Sequence, residues 1–205
     1  MKKLILGSSS PRRRQMFEWL QIPHELRSSK IEETVKEGLS PSQIVIDLAN
    51  QKTQDTFQSQ KNEVLVTADT IVVFENQILG KPKDRNDAKR MLTMMSGRSH
   101  EVYTGVSITF EDLDKNKVQE SFFEVTSVKF ANLDSNFLEA YLDTNDSLDK
   151  AGAYGLQSAG QVFVEKVEGS YSNVVGFPMS SFIVKMTEIA NSYFKHENHW
   201  IKMFK

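Results

Sequence analysis

The chain has no cysteine among its 205 residues, which excludes disulfide bonds, thiolate metal sites and cysteine nucleophiles. The sequence also lacks an excess of charge of either sign, because it has 25 basic and 27 acidic residues. This balance gives no electrostatic reason to expect binding to nucleic acid or to a membrane. No apolar stretch is long enough to span a bilayer, and the run after Met1 is too short for a secretory signal peptide. We therefore expect a globular protein of the cytoplasm.

The sequence also lacks the G-x-x-x-x-G-K-[ST] motif of the P-loop, which disfavours a P-loop nucleotidase. Its apolar residues recur instead with periods that alternate between strand and helix, which predicts an α/β fold. Two neighbouring long strands, Ser99–Phe110 and Val118–Leu133, are expected to form an antiparallel ribbon and a second lobe. A hairpin is predicted from Gln161–Val167 and Tyr171–Val175. The polar and aromatic residues from 195 to 205 are expected to form a loose tail, whose histidines are not expected to bind metal.

The first strand and helix, Leu4–Leu20, carry an unusual charge pattern. Ser10 is a good N-cap and Pro11 suits the first helical turn. Arginines follow at positions 12 to 14, where the helix dipole already presents positive charge and carboxylates would be more stable. Serine hydroxyls, free N–H groups and guanidinium groups at one helix start favour a phosphate site over a solvated basic turn.

Two charged residues fall where the apolar pattern predicts burial. Lys52 lies four residues beyond Leu48 on the apolar side of a helix that begins at Ser40–Pro41. It either extends past the edge of the core or reaches into a cleft. Asp69 lies in the middle of Val64–Phe74, a strand apolar enough to be covered on both faces. A carboxylate there is costly unless it is paired, binds a metal or opens on a cleft.

Further polar residues lie in loops. Glu32–Glu33 is an acidic pair, and Gly80–Pro82 holds an isolated lysine, Lys81. The segment Asp149–Gln157 is too rich in glycine and alanine for a strand, so Asp149, Lys150 and Gln157 either approach a ligand or belong to a plain surface loop. Cations for phosphates, carboxylates for a divalent metal and a base to activate water are what phosphoanhydride hydrolysis requires.

A family resemblance rests on five motifs in a fixed order. The motifs read SSSPRRRQ, ADTIV, LGKPKD, SGRSHEVYTGVSI and DKAGAYGLQ. They resemble the Maf family of nucleoside triphosphate pyrophosphatases over residues 1–194, which the resemblance makes one domain of two lobes, with 195–205 as a C-terminal tail. The family implies an elongated mixed sheet flanked by helices, similar to the inosine triphosphate pyrophosphatases, with the active site in a cleft between the lobes.

The resemblance also implies roles for individual residues. It implies hydrolysis of a nucleoside triphosphate to the monophosphate and pyrophosphate, with Asp69 accepting the proton of the attacking water. The other implied catalytic residues are Lys52 and Lys81. The implied phosphate ligands are Ser8, Ser10, Arg12 and Arg13. The implied metal ligands are Glu33 and Asp69, for Mg, Mn or Co.

Three residues, Arg12, Thr70 and Gln157, resemble the subgroup that acts on dTTP and UTP. The glutamine amide both donates and accepts hydrogen bonds, as the edge of uracil or thymine requires. Modified pyrimidine triphosphates such as 5-methyl-UTP and pseudo-UTP are then expected substrates, in a house-cleaning role. Gly7 stands where the family often has alanine, which should be harmless, and Ser158 where it often has glycine, which places a hydroxyl beside the expected base pocket.

Alternatives to this function are a preference for 7-methyl-GTP and a nucleotide-binding regulator of septation without turnover. An unpaired carboxylate would repel bound phosphates, which is of no use to a protein that only binds nucleotides. The presence of Asp69 therefore favours catalysis over binding alone. The ribbon formed by residues 99–133 is a candidate surface for a homodimer.

Overall fold

The structure is a computed structural model that describes residues 1–59, 62–195 and 199–204. Strands and helices are interleaved along the chain, so the predicted α/β class is confirmed. The strands are β1 (Lys3–Leu6), β2 (His24–Leu26), β3 (Glu63–Phe74), β4 (Gln77–Leu79), β5 (Ser99–Glu111), β6 (Lys117–Phe130) and β7 (Val164–Glu168). The helices are α1 (Pro11–Trp19), α2 (Pro41–Thr56), α3 (Arg85–Met95), α4 (Ser135–Asp143), α5 (Tyr171–Val175) and α6 (Met179–Phe194).

The seven strands form one mixed sheet. Its order is β2-β1-β3-β5-β6-β7, and β4 pairs with β3 outside this path. β1 is parallel to both β2 and β3, whereas the pairs β3–β4 and β6–β7 are antiparallel. The predicted ribbon strands, β5 and β6, are neighbours in this order. The mixed sheet flanked by helices agrees with the predicted fold class.

The chain divides into two compact units. The first comprises Met1–Asp69, Gly105–Glu124 and Gly176–Lys205, and the second Thr70–Thr104 and Val125–Val175. In the first unit, Phe17, Phe177 and Phe182 form an aromatic cluster whose ring centroids lie 5.1 to 5.6 Å apart. In the second unit, the rings of Phe130 and Tyr154 meet at 4.8 Å. Each unit therefore has a core of its own, and burying these rings stabilises each by several kcal/mol.

The predicted hairpin after β6 is wrong. The segment Tyr171–Val175 forms the short helix α5 instead of a strand. The Ser170 hydroxyl accepts a hydrogen bond from the Asn173 N–H at 3.2 Å, as an N-terminal cap does. Gly169, at φ +126°, ends β7 before this turn. The local capping serine thus outweighs the β-branched valines on which the strand prediction rested.

Residues 199–204 of the predicted loose tail are packed against the rest of the chain. A single 3₁₀ turn at Trp200–Met203 buries both of its terminal side chains. The Lys2 N–H donates to the Met203 carbonyl at 2.7 Å, so this segment is tied to the start of β1. His199 is described, whereas His196 lies outside the described residues. Within the described ranges, no helix is both long enough and apolar enough to cross a membrane.

Candidate active site

The turn between β1 and α1 places two serines and two arginines at one helix start. Ser10 caps α1, because its hydroxyl accepts from the Arg13 N–H at 3.5 Å, and Pro11 begins the helix as predicted. The Ser8 hydroxyl accepts from the Ser10 N–H at 3.2 Å. A side chain at Gly7 would lie 2.6 Å from the Thr67 methyl group, so glycine lets this turn approach β3 closely. Alanine at this position would require a shift of Thr67.

The neighbouring arginines differ in burial. Arg12 is partly exposed, whereas Arg13 is only 9% exposed. The Arg13 guanidinium donates from Nε to the Gly176 carbonyl at 2.8 Å and from Nη1 to the Ala68 carbonyl at 2.9 Å. Burial lowers the pKa of Arg13, and the charge of Asp69 counters part of that effect. Arg13 therefore ties α1 to the backbone immediately before Asp69. This structural task was not expected, and phosphate binding by either arginine stays a prediction.

Lys52, Asp69 and Glu33 form the charged centre of the first unit. Lys52 Nζ lies 2.5 Å from Asp69 Oδ1 and 3.2 Å from Glu33 Oε2, and it also donates to the Ala68 carbonyl at 3.2 Å. The side chains of Lys52 and Asp69 are 13% and 15% exposed, and that of Glu33 is 37% exposed. Lys52 thus reaches inward from α2, which resolves the two alternatives that its helical spacing left open.

The pairing of Asp69 corrects one expectation. From the sequence we expect an unpaired carboxylate at Asp69, whose repulsion of phosphates favours catalysis over binding alone. The structure pairs it with Lys52, so the local charge is largely neutralised and the Coulomb argument against a pure binding protein loses its force. Burying this pair adds little stability, because desolvating two ions offsets much of their attraction. The pair is therefore better explained by a function than by stability.

A hydrogen-bonded latch, formed by the hydroxyls of Thr53 and Thr67, holds α2 against β3. The two hydroxyl oxygens lie 2.9 Å apart, and the Thr67 hydroxyl donates to the Ala49 carbonyl at 2.7 Å. Both threonines are buried. The latch lies one residue beyond Lys52 on α2 and two residues before Asp69 on β3, so it fixes the register in which these two meet. Reading the sequence alone missed it, although Thr67 stands out as a polar residue in an apolar strand.

The carboxylates offer a limited metal site. Among residues 1–59, 62–195 and 199–204, no group of three or more histidine, aspartate or glutamate side chains could hold an ion. Glu33 and Asp69 do converge, because both contact the same ammonium group. Mg²⁺ commonly takes one or two carboxylates, with water and substrate phosphates completing the shell. The donor set therefore fits an ion bound together with a triphosphate, and Glu33 and Asp69 are the residues that would hold it.

Thr70, the first residue of the second unit, has a structural partner on β5. Its hydroxyl oxygen lies 2.9 Å from that of Thr104. Thr104 is buried, whereas Thr70 is partly exposed. This places Thr70 at the outer end of a buried polar chain.

Lys81 and Gln157 lie on two loops of the second unit that contact each other. The Gly152 N–H donates to the Gly80 carbonyl at 3.1 Å. Gly152 has φ +67° and its Cα lies against Val72, where a side chain would meet the valine at 3.0 Å. Both Lys81 and Gln157 are exposed. Their positions leave the two side chains accessible to a ligand.

Two other residues of this loop behave differently from expectation. Lys150 does not present its charge outward, since it is buried and its Nζ contacts Asp146 at 2.8 Å and Asp149 at 2.7 Å. The Ser158 hydroxyl is likewise used inside the loop, where it donates to the Gly155 carbonyl at 3.1 Å. Burial raises the pKa of Asp146, but the hydrogen bond and the charge of Lys150 outweigh this effect, so that pKa is lowered. Ser158 therefore stabilises the turn that carries Gln157 and is not simply a hydroxyl added to a pocket.

The chain is an α/β protein whose first unit has basic groups at a helix start and an ion-paired aspartate on β3, and whose second unit has exposed polar residues on two contacting loops. The profile of the Maf family, described as Maf-like protein, matches residues 3–189. The chain belongs to the Maf family.

Named relatives agree with this assignment. A protein of Bacillus cereus (strain G9842) named dTTP/UTP pyrophosphatase is 42% identical over 188 residues, which cover 92% of this chain and 96% of the relative. One of Bacillus anthracis (strain CDC 684 / NRRL 3495) with the same name is 41% identical at the same coverage. The family assignment predicted from the five motifs is thereby confirmed.

Two solved structures show weaker likeness. A HAM1 protein from Coxiella burnetii is 14% identical, with a TM-score of 0.48 and coverage of 90% of this chain and 100% of that chain. A nucleoside-triphosphatase, also described as a dITP/XTP pyrophosphatase, from Mycobacterium abscessus is 10% identical, with a TM-score of 0.40 and coverage of 89% and 92%. The family assignment rests on the sequence relatives.

Proposed function

We propose that the chain hydrolyses dTTP and UTP between the α and β phosphates, giving the monophosphate and pyrophosphate. The contact of Lys52 Nζ on α2 with Asp69 Oδ1 on β3, at 2.5 Å, carries this proposal, because a candidate base and a cation lie side by side there. The relatives named dTTP/UTP pyrophosphatase support the substrate class. The same site would admit 5-methyl-UTP and pseudo-UTP, so removal of modified pyrimidine nucleotides is the proposed role.

The charged groups of the first unit are assigned to the reaction. Asp69 accepts a proton from the water that attacks the triphosphate, which is general-base catalysis. Lys52 neutralises charge that develops on the phosphate oxygens, and bound phosphates would compete with Asp69 and Glu33 for its ammonium group. Ser8, Ser10, Arg12 and Arg13 are the proposed phosphate-binding residues, as the start of a helix favours anions.

A divalent cation completes the proposal. Mg, Mn or Co held by Glu33 and Asp69 would supply neutralisation of the phosphate charge. Both carboxylates contact the ammonium group of Lys52, so they lie close enough to each other to share one cation. Removal of the cation with a chelator should therefore abolish turnover without unfolding the chain, since Lys52 still pairs with the carboxylates.

Selection of the base is assigned to Thr70, Gln157 and Arg12, and Lys81 is assigned to charge neutralisation. The Gln157 amide can donate to the ring carbonyl that uracil and thymine carry beside their one ring N–H. Gln157 is exposed, and Ser158 stabilises its turn. A site that pairs a substrate N–H discriminates against an analogue that lacks it, because the bound analogue covers the polar group without forming a hydrogen bond to it.

The test is release of pyrophosphate from dTTP, UTP, CTP, 5-methyl-UTP, GTP and 7-methyl-GTP, each with Mg or Mn and each repeated with excess chelator. We expect release chiefly from the uracil and thymine compounds, with stoichiometric monophosphate. The Asp69→Asn variant, purified in parallel, measures any contaminating activity.

The other outcomes discriminate between the alternatives. A preference for 7-methyl-GTP would keep the reaction and overturn the assignment of Thr70 and Gln157. Tight binding of nucleotides with no release from any of them would overturn the enzyme and favour a nucleotide-binding regulator of septation.

A further inference from the structure

A chain of buried hydrogen bonds stands behind Thr70 in the second unit. The Thr70 hydroxyl contacts the Thr104 hydroxyl at 2.9 Å, and the Thr104 hydroxyl contacts the backbone carbonyl of Asn173 at 3.2 Å. Thr104 and Asn173 are both fully buried. This series of hydrogen bonds therefore begins at the buried Asn173 carbonyl and ends at the partly exposed Thr70 hydroxyl.

The inner end of this chain is fixed in position. The Asn173 side-chain amide donates to the Val102 carbonyl and to the Thr126 hydroxyl, both at 3.0 Å. Its own N–H donates to the Ser170 hydroxyl at 3.2 Å, which caps the turn that begins α5. Because three hydrogen bonds hold Asn173, its carbonyl presents a fixed acceptor to Thr104.

The number of hydroxyl hydrogens determines which group donates in each hydrogen bond of this series. A hydroxyl group has one hydrogen to donate and two lone pairs that accept. The Asn173 carbonyl can only accept, so the Thr104 hydrogen is used in that bond. The hydrogen between the two threonines must then come from Thr70. With its hydrogen directed inward, the Thr70 oxygen can offer a ligand only acceptor lone pairs.

We infer that Thr104 is a positioning residue that makes Thr70 a hydrogen-bond acceptor toward the substrate base, and that this selects bases with an N–H at ring position 3. The inference rests on the proposed function. Uracil and thymine donate at N3, whereas the N3 of cytosine accepts and would face a lone pair of Thr70. Discrimination against cytosine is thus set by a residue that need not touch the base.

The experiment compares UTP with CTP in three single variants. Thr104→Val keeps the shape and removes the hydroxyl, Thr104→Ser keeps the hydroxyl, and Thr109→Val is the matched control. Thr109 is a buried threonine of the same strand whose hydroxyl has no hydrogen-bond partner in the described part of the chain. The measured quantity is the ratio of kcat/KM for UTP to that for CTP, together with the Kd of each nucleotide.

We expect Thr104→Val to lower the UTP/CTP ratio by about tenfold, since one good contact to a base edge discriminates by about that factor or more. Thr104→Ser and Thr109→Val should keep the wild-type ratio. In a Thr70→Val background, Thr104→Val should have no further effect on the ratio, because the inference routes its action through Thr70. If the valine variant does not fold, Thr104→Cys replaces it, as a thiol is a weak donor.

An unchanged ratio in Thr104→Val, or an equal loss in Thr104→Ser, would overturn the inference. So would a wild-type protein that does not distinguish UTP from CTP in either kcat/KM or Kd. Failure of the proposed function is a separate result, because it is the absence of pyrophosphate release from every nucleotide. The ratio of the two Kd values would still decide the role of Thr104 in that case.

Discussion

The two units of the chain carry different kinds of polar chemistry. The candidate groups of the first unit are charged apart from Ser8 and Ser10, and the ammonium group of Lys52 contacts both Asp69 and Glu33. Those of the second unit are neutral except for Lys81, and they include the hydroxyls of Thr70 and Thr104. One boundary between the units falls between the consecutive residues Asp69 and Thr70.

The strand β3 therefore carries both a charged candidate residue, Asp69, and a neutral one, Thr70. Charged groups close to phosphates act through electrostatics, whose loss costs orders of magnitude in rate. Neutral donors and acceptors act through hydrogen bonds, which depend on geometry, and each contributes about 1 to 3 kcal/mol to discrimination between substrates. We therefore expect substitution of Asp69 to affect the rate, and substitutions of Thr70 and Gln157 to affect the choice of substrate.

The largest expected effect comes from Asp69→Asn. The amide cannot accept a proton from water, so kcat should fall by about 10² to 10⁴-fold while nucleotide binding is retained. Steady-state kinetics and calorimetric binding measure the two quantities. Asp55→Asn is the control, because Asp55 is an exposed carboxylate of the same unit that accepts from the Lys30 N–H at 2.7 Å. Turnover like that of the wild type in Asp69→Asn would remove Asp69 as the base.

The second effect concerns stability at low pH and belongs to the second unit. Burial lowers the pKa of His100 to about 4, from an ordinary value of 6.5. Between these pH values the unfolded chain takes up a proton that the folded chain does not. The free energy of unfolding should therefore fall as the pH drops from 6.5 to 4, by about 3 kcal/mol from this residue.

Urea unfolding at a series of pH values checks this expectation for His100. In His100→Gln this part of the pH dependence should be absent, although the variant also loses the contact with the Tyr154 hydroxyl at 2.7 Å. Equal slopes in the variant and the wild type would show that His100 is not the group responsible.

The third prediction compares two arginines of α1 and can break the division of tasks. Arg13→Lys cannot keep both bonds to the Gly176 and Ala68 carbonyls, so the free energy of unfolding should fall by about 1 to 3 kcal/mol. Arg14→Lys, at an exposed position paired with Glu18, should change it by less than about 0.5 kcal/mol. Urea unfolding measures both. A loss of activity in Arg13→Lys without any loss of stability would make Arg13 a phosphate ligand alone.

The smallest effect is expected from Gln157→Leu. It removes one amide from the proposed base site, so the preference for UTP over CTP should fall by about tenfold with little change in stability. Gln161→Leu is the matched control, as Gln161 is an exposed glutamine four residues further along. Competition between the two nucleotides measures the preference. A large fall in kcat for both nucleotides would place Gln157 with the catalytic groups and contradict the contrast between the units.

Particular residues show how far sequence reasoning reached. The inward direction of Lys52 follows from its spacing of four from Leu48, because helical spacing alone defines a face. Its two alternatives could not be separated, since the partner, Asp69, is distant in sequence. The helix at Tyr171–Val175 was missed because one capping serine overrides a weak strand propensity.

The amino-acid sequence was sufficient to predict the α/β class, the capped starts of α1 and α2, and the family, because these depend on local patterns and on motifs. The partners of Arg13, Lys52 and Thr104 became known only from the folded structure. A buried hydrogen bond depends on which distant carbonyl or carboxylate folding brings within about 3 Å. Residue type fixes what a group can donate or accept, and only the fold fixes with which group it does so.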